Sequence, residues 1–294
     1  MLTRRTLLRA ALAAVSASTV SACAPGGGRG TKGQGPVKRT MPFERVAYGV
    51  DPQQYGELRR PAAGAAAPVV VVVHGGFWLS QYDLGLMVPV AEALTREGFA
   101  TWNVEYRRLG DAGGGWPGTF LDVGSAVDHL RTVAAQHGLD LRRVVTLGHS
   151  AGGQLALWIA GRRWIRDGEL RVSRPLKVRG AVSLAGVVDM GWAWNLGFDS
   201  VGKVLGGSPA DVPTHYAAAD PAALIPLGVP TLLVHGSADT IVPQAISEQY
   251  LREAKARGDQ AKLIPLPGTG HFELIDPRTP AWASVRDGVQ SLFV

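Results

Sequence analysis

A short glycine-rich turn between an apolar strand and an apolar helix constrains the fold of this chain more than any other feature. Residues 144–147 read VVTL, residues 148–153 read GHSAGG, and residues 154–160 favour a helix. Small residues two positions before and two after Ser150 let the strand and the helix approach closely. The pattern predicts a tight strand–turn–helix unit, which is typical of a parallel sheet covered by helices.

The rest of the chain alternates short apolar runs with amphipathic stretches. Residues 68–73 read PVVVVV, and β-branched side chains on both faces indicate a central strand buried between two helical layers. Further strands are predicted at residues 100–106, 143–147, 178–184, 230–234 and 261–266, and helices at residues 84–97, 117–137 and 244–256 and near the C-terminus. The predicted fold class is α/β, with a mostly parallel central sheet, helices on both faces and a small cap insertion.

Ser150 is the predicted nucleophile of this turn. A serine hydroxyl reacts poorly near neutral pH unless a base accepts its proton and a third group holds that base in the correct tautomer. Asp239 and His271 each follow a predicted strand, in the order nucleophile, acid, histidine. Ligands of open α/β sheets bind at these strand ends. The sequence therefore predicts a catalytic triad of Ser150, His271 and Asp239.

Other acids stay open as the third member of the triad. Asp276 and Glu273 lie close to His271 in sequence, and Asp220 precedes a proline in an earlier loop. Acids in such positions are usually solvated or cap helices. Asp239 is therefore preferred, with Asp276 as the first substitute.

A second glycine motif follows the predicted central strand, where residues 74–78 read HGGFW. The tetrahedral intermediate of acyl transfer carries negative charge on an oxygen, and preorganised N–H donors stabilise that charge. We expect the amides of Gly76, Phe77 and Ala151 to form this oxyanion hole. His74 is expected to brace the loop by hydrogen bonding.

These motifs resemble the α/β-hydrolase superfamily across about residues 42–294. The resemblance rests on HGG at 74–76, GHSAG at 148–152, GSAD at 236–239 and GH at 270–271, and it points to the esterase/lipase branch. FW at 77–78, EYR at 105–107 and WP at 116–117 are similar to kynurenine formamidase and to feruloyl or acetyl esterase relatives. Phe77 departs from the hormone-sensitive-lipase pattern, which has a third glycine there. The resemblance implies an α/β-hydrolase fold and ester hydrolysis through an acyl-enzyme.

Substrate choice depends on residues 186–227, which are longer than an ordinary connection and are predicted to form the cap. Trp192 and Trp194 lie within this segment. Together with Trp78 and His149, they are candidate side chains of the substrate pocket. Packing is the alternative explanation for these side chains.

The first 40 residues predict export. Residues 3–9 read TRRTLLR and precede an Ala-rich stretch, which resembles a twin-arginine signal. Residues 20–23 read VSAC and resemble a lipobox, in which Cys23, the single cysteine, becomes lipidated. We predict an export signal at residues 1–22, a Gly-rich tether at 23–40 and a catalytic domain at 41–294. The expected location is the cell envelope, with a soluble secreted or periplasmic form as the alternative.

The net charge of +6 belongs to this N-terminal segment. Seven of the 30 basic residues and none of the 24 acidic residues precede Met41. The remainder is nearly neutral, which argues against a nucleic-acid partner. Scattered histidines and the lack of a glycine loop of the phosphate-binding type predict neither a metal nor a cofactor. The expected partner is a small-molecule ester, with membrane contact only through Cys23.

The favoured function is hydrolysis of short-chain or aryl carboxylic esters. An arylformamide hydrolase similar to kynurenine formamidase is the first alternative, but its substrate is an intracellular metabolite that an exported enzyme would not meet. A peptidase is disfavoured because no large additional domain is evident. A surface-anchored binding module without catalysis is the alternative from another class, and the complete set of motifs argues against it.

Overall fold

The computed structural model describes residues 39–62 and 66–294, and one sheet runs through this part of the chain. Its strands are β1 (Glu44–Ala47), β2 (Tyr55–Arg59), β3 (Ala67–Val73), β4 (Ala100–Val104), β5 (Leu139–His149), β6 (Gly180–Leu184), β7 (Thr231–Gly236) and β8 (Ala261–Leu266). The order across the sheet is β1-β2-β4-β3-β5-β6-β7-β8. β1, β2 and β4 pair antiparallel, and all other neighbours pair parallel.

Helices cover both faces of the sheet. They are α1 (Val88–Arg96), α2 (Gly118–His137), α3 (Ala151–Gly161), α4 (Met190–Asn195), α5 (Asp199–Leu205), α6 (Pro213–Ala219), α7 (Ala245–Ala256) and α8 (Ala281–Ser291). Val69, Val71 and Val73 pack with residues of α2, α3 and α7. Val70 and Val72 pack with residues of α1 and α8 on the other face. Strand β3 is thus buried on both sides, as its β-branched run predicts.

The predicted strands and helices are confirmed with small shifts of their ends. The predicted helix over residues 84–97 begins as a 3-10 turn, Leu84–Met87, and continues as α1. Pro89 lies in the first turn of α1, where its missing N–H breaks no hydrogen bond of the helix. β1 and β2 are not among the predicted strands. β1 is short and mostly exposed, so it lacks the apolar run that marks the other strands.

Residues 186–227, the predicted cap, lie between β6 and β7 and contain α4, α5 and α6. Their role as a cap stays a prediction. The predicted export signal and Cys23 lie outside the described residues. Within the described residues, no helix combines the length and the apolar character needed to cross a bilayer.

The turn between β5 and α3 is packed directly against the end of β3. A Cβ atom on Gly152 would overlap the carbonyl oxygens of Val73 and His74, and one on Gly148 would overlap the carbonyl oxygen of Gly152. Backbone atoms cannot move aside as flexible side chains can. Glycine is therefore required at both positions for the strand and the helix to come this close.

We expect Gly152→Ala to lower the free energy of unfolding by about 2 kcal/mol or more, because the added methyl group overpacks against backbone. Urea unfolding measures the loss. Gly191→Ala is the matched control, since its Cβ would meet only ordinary contacts at 3.7 Å. Equal stability of the two variants would contradict the close approach of α3 to β3.

Candidate active site

Backbone strain is concentrated at the carboxyl ends of three adjacent strands of the sheet. Four non-glycine residues in the described part of the chain have positive φ: Phe77, Trp78, Ser150 and Ala185. They follow β3, β5 and β6, which are adjacent in the sheet. Such conformations cost about 1–3 kcal/mol each and cluster at functional sites. The carboxyl ends of these strands are therefore the expected location of an active site.

Ser150 sits on the strained turn itself, with φ 56° and ψ −122°. Its N–H donates to the carbonyl oxygen of Leu184 at 2.9 Å, which ties the turn to β6. A Cβ on Gly75 would lie 2.9 Å from the Cβ of Ser150, so the loop after β3 touches the serine. Ala151 is the first residue of α3, where amide groups have no partner within the helix.

Asp239 and His271 are hydrogen-bonded to each other. Asp239 follows β7, His271 follows β8, and His271 Nδ1 lies 2.6 Å from Asp239 Oδ2. The other carboxylate oxygen accepts from the N–H groups of Ile241 and Val242, each at 2.8 Å. Burial disfavours charge on Asp239, but these hydrogen bonds and the neighbouring histidines hold its pKa well below the usual range. The carboxylate therefore fixes Nδ1 of His271 as a donor.

A second histidine contacts the same carboxylate. His235 Nε2 lies 2.9 Å from the carbonyl oxygen of Val242 and 3.4 Å from Asp239 Oδ2. His235 Nδ1 lies 2.7 Å from Ser247 Oγ. Because a carbonyl oxygen only accepts, Nε2 of His235 carries a hydrogen. No local sequence pattern predicts this contact of His235 with Asp239, because it depends on how the loop after β7 folds.

His149, the residue before the serine, packs against the predicted catalytic histidine. Its Nε2 donates to the carbonyl oxygen of His271 at 3.0 Å, and the two rings are 4.4 Å apart. Burial, followed by the proximity of His271, lowers the pKa of His149 to about 3. His149 thus stays neutral and holds the backbone of His271 through this hydrogen bond.

The loop after β3 is braced by His74, as the sequence predicts. His74 is buried, with Nδ1 2.8 Å from the carbonyl oxygen of Gly75 and Nε2 3.0 Å from Glu105 Oε1. The Tyr106 ring stacks on His74 at 4.4 Å, and its hydroxyl donates to the carbonyl oxygen of His74 at 2.8 Å. These contacts fix the loop that carries Gly76 and Phe77.

Glu105 is the buried anchor of this loop. Its carboxylate accepts from the N–H groups of Leu84 and Tyr106, each at 3.0 Å, and pairs with Arg108 at 2.8 Å. Burial opposes the charge, but His74, Arg108 and the backbone donor lower the pKa of Glu105 below its ordinary value. Its position directly after β4 is the sequence signal for this role, because the carboxyl end of β4 lies on the same side of the sheet as the residues with positive φ.

The match with known proteins agrees with this geometry. Residues 58–253, more than half of the chain, match the BD-FAE family. The chain belongs to the BD-FAE family.

Relatives of this BD-FAE chain include named esterases. Esterase LipC of Mycobacterium tuberculosis is 27% identical over 255 residues, which cover 81% of this chain and 62% of LipC. Esterase LipQ of the same organism is 28% identical over 230 residues, which cover 74% of this chain and 53% of LipQ. The chain thus spans less than two thirds of the length of either relative.

Solved structures share the fold. A truncated carbohydrate esterase from gut microbiota superimposes with a TM-score of 0.75 at 22% identity, covering 88% of this chain and 99% of that protein. Esterase 2 of Thermogutta terrifontis with propionate bound gives 0.69 at 23% identity, covering 85% and 92%. The predicted α/β-hydrolase fold is therefore confirmed.

The predicted pocket residues of this BD-FAE chain differ in exposure. Trp78 is buried, and its indole N–H donates to Gln154 Oε1 of α3 at 3.3 Å. Trp192 and Trp194 are half-buried in α4, and Trp194 covers Gly202 of α5. Packing thus accounts for Trp78, and contact of the tryptophans with a substrate stays a prediction.

The alternative acids near His271 have other partners. Asp276 accepts from Arg278 Nε at 2.8 Å and from Arg278 Nη2 at 2.7 Å. Glu273 lies over Gly270, where its carboxylate would be 2.8 Å from an added Cβ. Asp239, in contrast, is hydrogen-bonded to the His271 ring itself.

Asp220 anchors the predicted cap. Its Oδ2 accepts from Gly191 at the start of α4 at 3.0 Å, and its Oδ1 accepts from Ala222 at 3.1 Å. Asp189 accepts from Trp192 at the same helix end at 2.8 Å. Burial, with the nearby charge of Asp189 as the second cause, raises the pKa of Asp220 to about 7. These two carboxyl groups hold both ends of the segment to one helix terminus.

Proposed function

We propose that the chain is a serine carboxylesterase that hydrolyses short-chain or aryl carboxylic esters. The observation that carries the proposal is the hydrogen bond between His271 and Asp239, together with the contact of His271 with His149, the neighbour of Ser150 on the strained turn. A carboxylate-held histidine next to a serine on such a turn is the arrangement that activates a hydroxyl for acyl transfer. Membership in the BD-FAE family and similarity to named esterases support it.

The reaction proceeds in two halves. Ser150 Oγ attacks the carbonyl carbon of the ester while His271 Nε2 accepts the hydroxyl proton. The oxyanion is stabilised by the amides of Gly76, Phe77 and Ala151. The intermediate collapses, the bond from the carbonyl carbon to the alcohol oxygen breaks, and His271 gives its proton to the departing alcohol. Water then attacks the acyl-enzyme with His271 as base, which releases the acid and restores Ser150.

A short acyl group has support from the structural relatives. Structures of Thermogutta terrifontis esterase 2 hold propionate or butyrate. The same protein has also been solved after phosphorylation by paraoxon. Paraoxon therefore offers a probe of the nucleophile that does not depend on finding the right ester.

We expect the full-length protein to hydrolyse p-nitrophenyl acetate or butyrate and to form a covalent adduct with paraoxon on Ser150. Ser150→Ala should lose both, because no other group supplies the attacking oxygen. Steady-state kinetics and mass spectrometry of the labelled peptide measure the two outcomes. Ser125→Ala is the control, since Ser125 is an exposed serine of α2.

Other outcomes distinguish the alternatives. A panel with p-nitrophenyl octanoate, methyl ferulate and N-formylkynurenine reports the preferred substrate. Preference for N-formylkynurenine would favour an arylformamide hydrolase. A folded protein that turns over no member of the panel and forms no paraoxon adduct would contradict the esterase and favour a binding module.

Asp239→Asn should keep the fold and lower kcat by roughly three to four orders of magnitude, because the amide no longer holds His271 in the correct tautomer. Circular dichroism checks the fold, and ester hydrolysis measures the rate. Asp276→Asn is the matched control and should retain activity, since its partner is Arg278. Near wild-type turnover by the Asp239 variant would mean that Asp276 or Glu273 is the acid of the triad instead.

We further propose that the protein is exported and anchored to the cell envelope through a lipid on Cys23. The twin-arginine and lipobox patterns at residues 3–9 and 20–23 support this location. Expressed in a bacterium, the full chain should fractionate with membranes, and Cys23→Ser should move it to the soluble fraction because the acyl chains are lost. Membrane association that survives the substitution would contradict the anchor.

A further inference from the structure

An exposed phenylalanine lies directly beside the predicted catalytic histidine. Phe272 is 54% exposed, although large apolar side chains are usually buried. Its ring stands edge-on to the His271 ring, with centroids 5.2 Å apart and an interplanar angle of 84°. It also lies 5.9 Å from the ring of His149. The exposed ring is thus part of an aromatic cluster at the site.

The backbone around Phe272 is held in place. Phe272 precedes the 3-10 turn Glu273–Ile275, and its carbonyl oxygen accepts from the N–H of Ile275 at 3.1 Å. The hydroxyl of Thr279 lies 2.7 and 2.9 Å from the carbonyl oxygens of Glu273 and Asp276, which share its single hydrogen. The ring is therefore presented to solvent from a fixed turn, and a bound group would meet it without ordering a loop.

The proposed reaction determines which part of an ester comes near this ring. The acyl group becomes bonded to Ser150, whereas the alcohol oxygen must come within about 3 Å of His271 Nε2 to receive its proton. The rest of the alcohol then extends from a point beside the His271 ring. Phe272 is the next residue, and the centroid of its exposed apolar ring lies 5.2 Å from that of the His271 ring.

We propose that Phe272 is a specificity-determining residue whose exposed ring packs against the alcohol part of the ester and favours phenols over small aliphatic alcohols. Aromatic rings prefer offset-stacked or edge-to-face contact with each other, and ethanol is too small to gain as much from the ring. The inference rests on the proposed ester hydrolysis and names the side chain that contacts the alcohol part of the substrate.

Phenyl acetate and ethyl acetate test this role, because they form the same acetyl-enzyme and differ only in the alcohol. In the full-length protein, Phe272→Ala should lower kcat/KM for phenyl acetate about 10-fold, the size expected for one lost aromatic contact. The value for ethyl acetate should change less than about twofold. Phe272→Tyr should retain the wild-type ratio of the two values, because it keeps the ring.

Phe43→Ala is the matched control. Phe43 is 41% exposed but precedes β1 at the far edge of the sheet, so both esters should react as with wild type. The pH profile for ethyl acetate should also be unchanged in the Phe272 variant. An unchanged profile shows that His271 keeps its setting.

Two results would overturn the inference while leaving the esterase intact. An equal loss for both esters would mean that Phe272 acts by orienting His271. An unchanged ratio with unchanged rates would mean that the ring does not touch the alcohol. If wild type hydrolyses neither ester and forms no paraoxon adduct, the proposed function itself is wrong, and so is the role of Phe272 in contacting the alcohol.

Discussion

The close contact between the turn after β5 and the loop after β3 is the constraint on which the rest of the site depends. The carbonyl oxygens of Val73 and His74 occupy the space that a side chain on Gly152 would need. Gly75 in turn packs against Ser150. Because these contacts are between backbones, the distance from the serine to the amides of the loop cannot drift with side-chain motion. Preorganised donors of this kind are what acyl transfer requires.

Two buried carboxylates, Asp239 and Glu105, hold the histidines around this contact in place. Asp239 accepts from two backbone N–H groups and from His271, while Glu105 accepts from two backbone N–H groups and from His74. A buried carboxylate is tolerated only when its acceptors are satisfied in this way. The pKa of each group lies below its ordinary value for that reason. His271 acts in the proposed reaction, whereas His74 braces the loop that carries the proposed oxyanion donors.

The sequence predicts those parts of the site that local patterns encode. The strands β3 and β5 and the order of Ser150, Asp239 and His271 follow from apolar runs and motif spacing, since each signal lies within a few residues. The contact of Asp239 with a second histidine, His235, could not be predicted from the sequence, because it depends on how the loop after β7 folds back. The positive φ angles of Phe77 and Trp78 could not be predicted either, since nothing in these residue types favours that conformation. Strand β1 was missed because its residues are exposed.

Substrate choice must come from side chains that play no part in holding the reacting atoms. Trp192 and Trp194 belong to a separate segment whose ends meet at the buried carboxyl groups of Asp189 and Asp220. Phe272 belongs to the turn after His271, which has its own hydrogen bonds. The hydrogen bonds that hold the predicted cap and those that hold this turn come from different residues. Recognition of the alcohol through Phe272 can therefore vary while the framework around Ser150 stays constant.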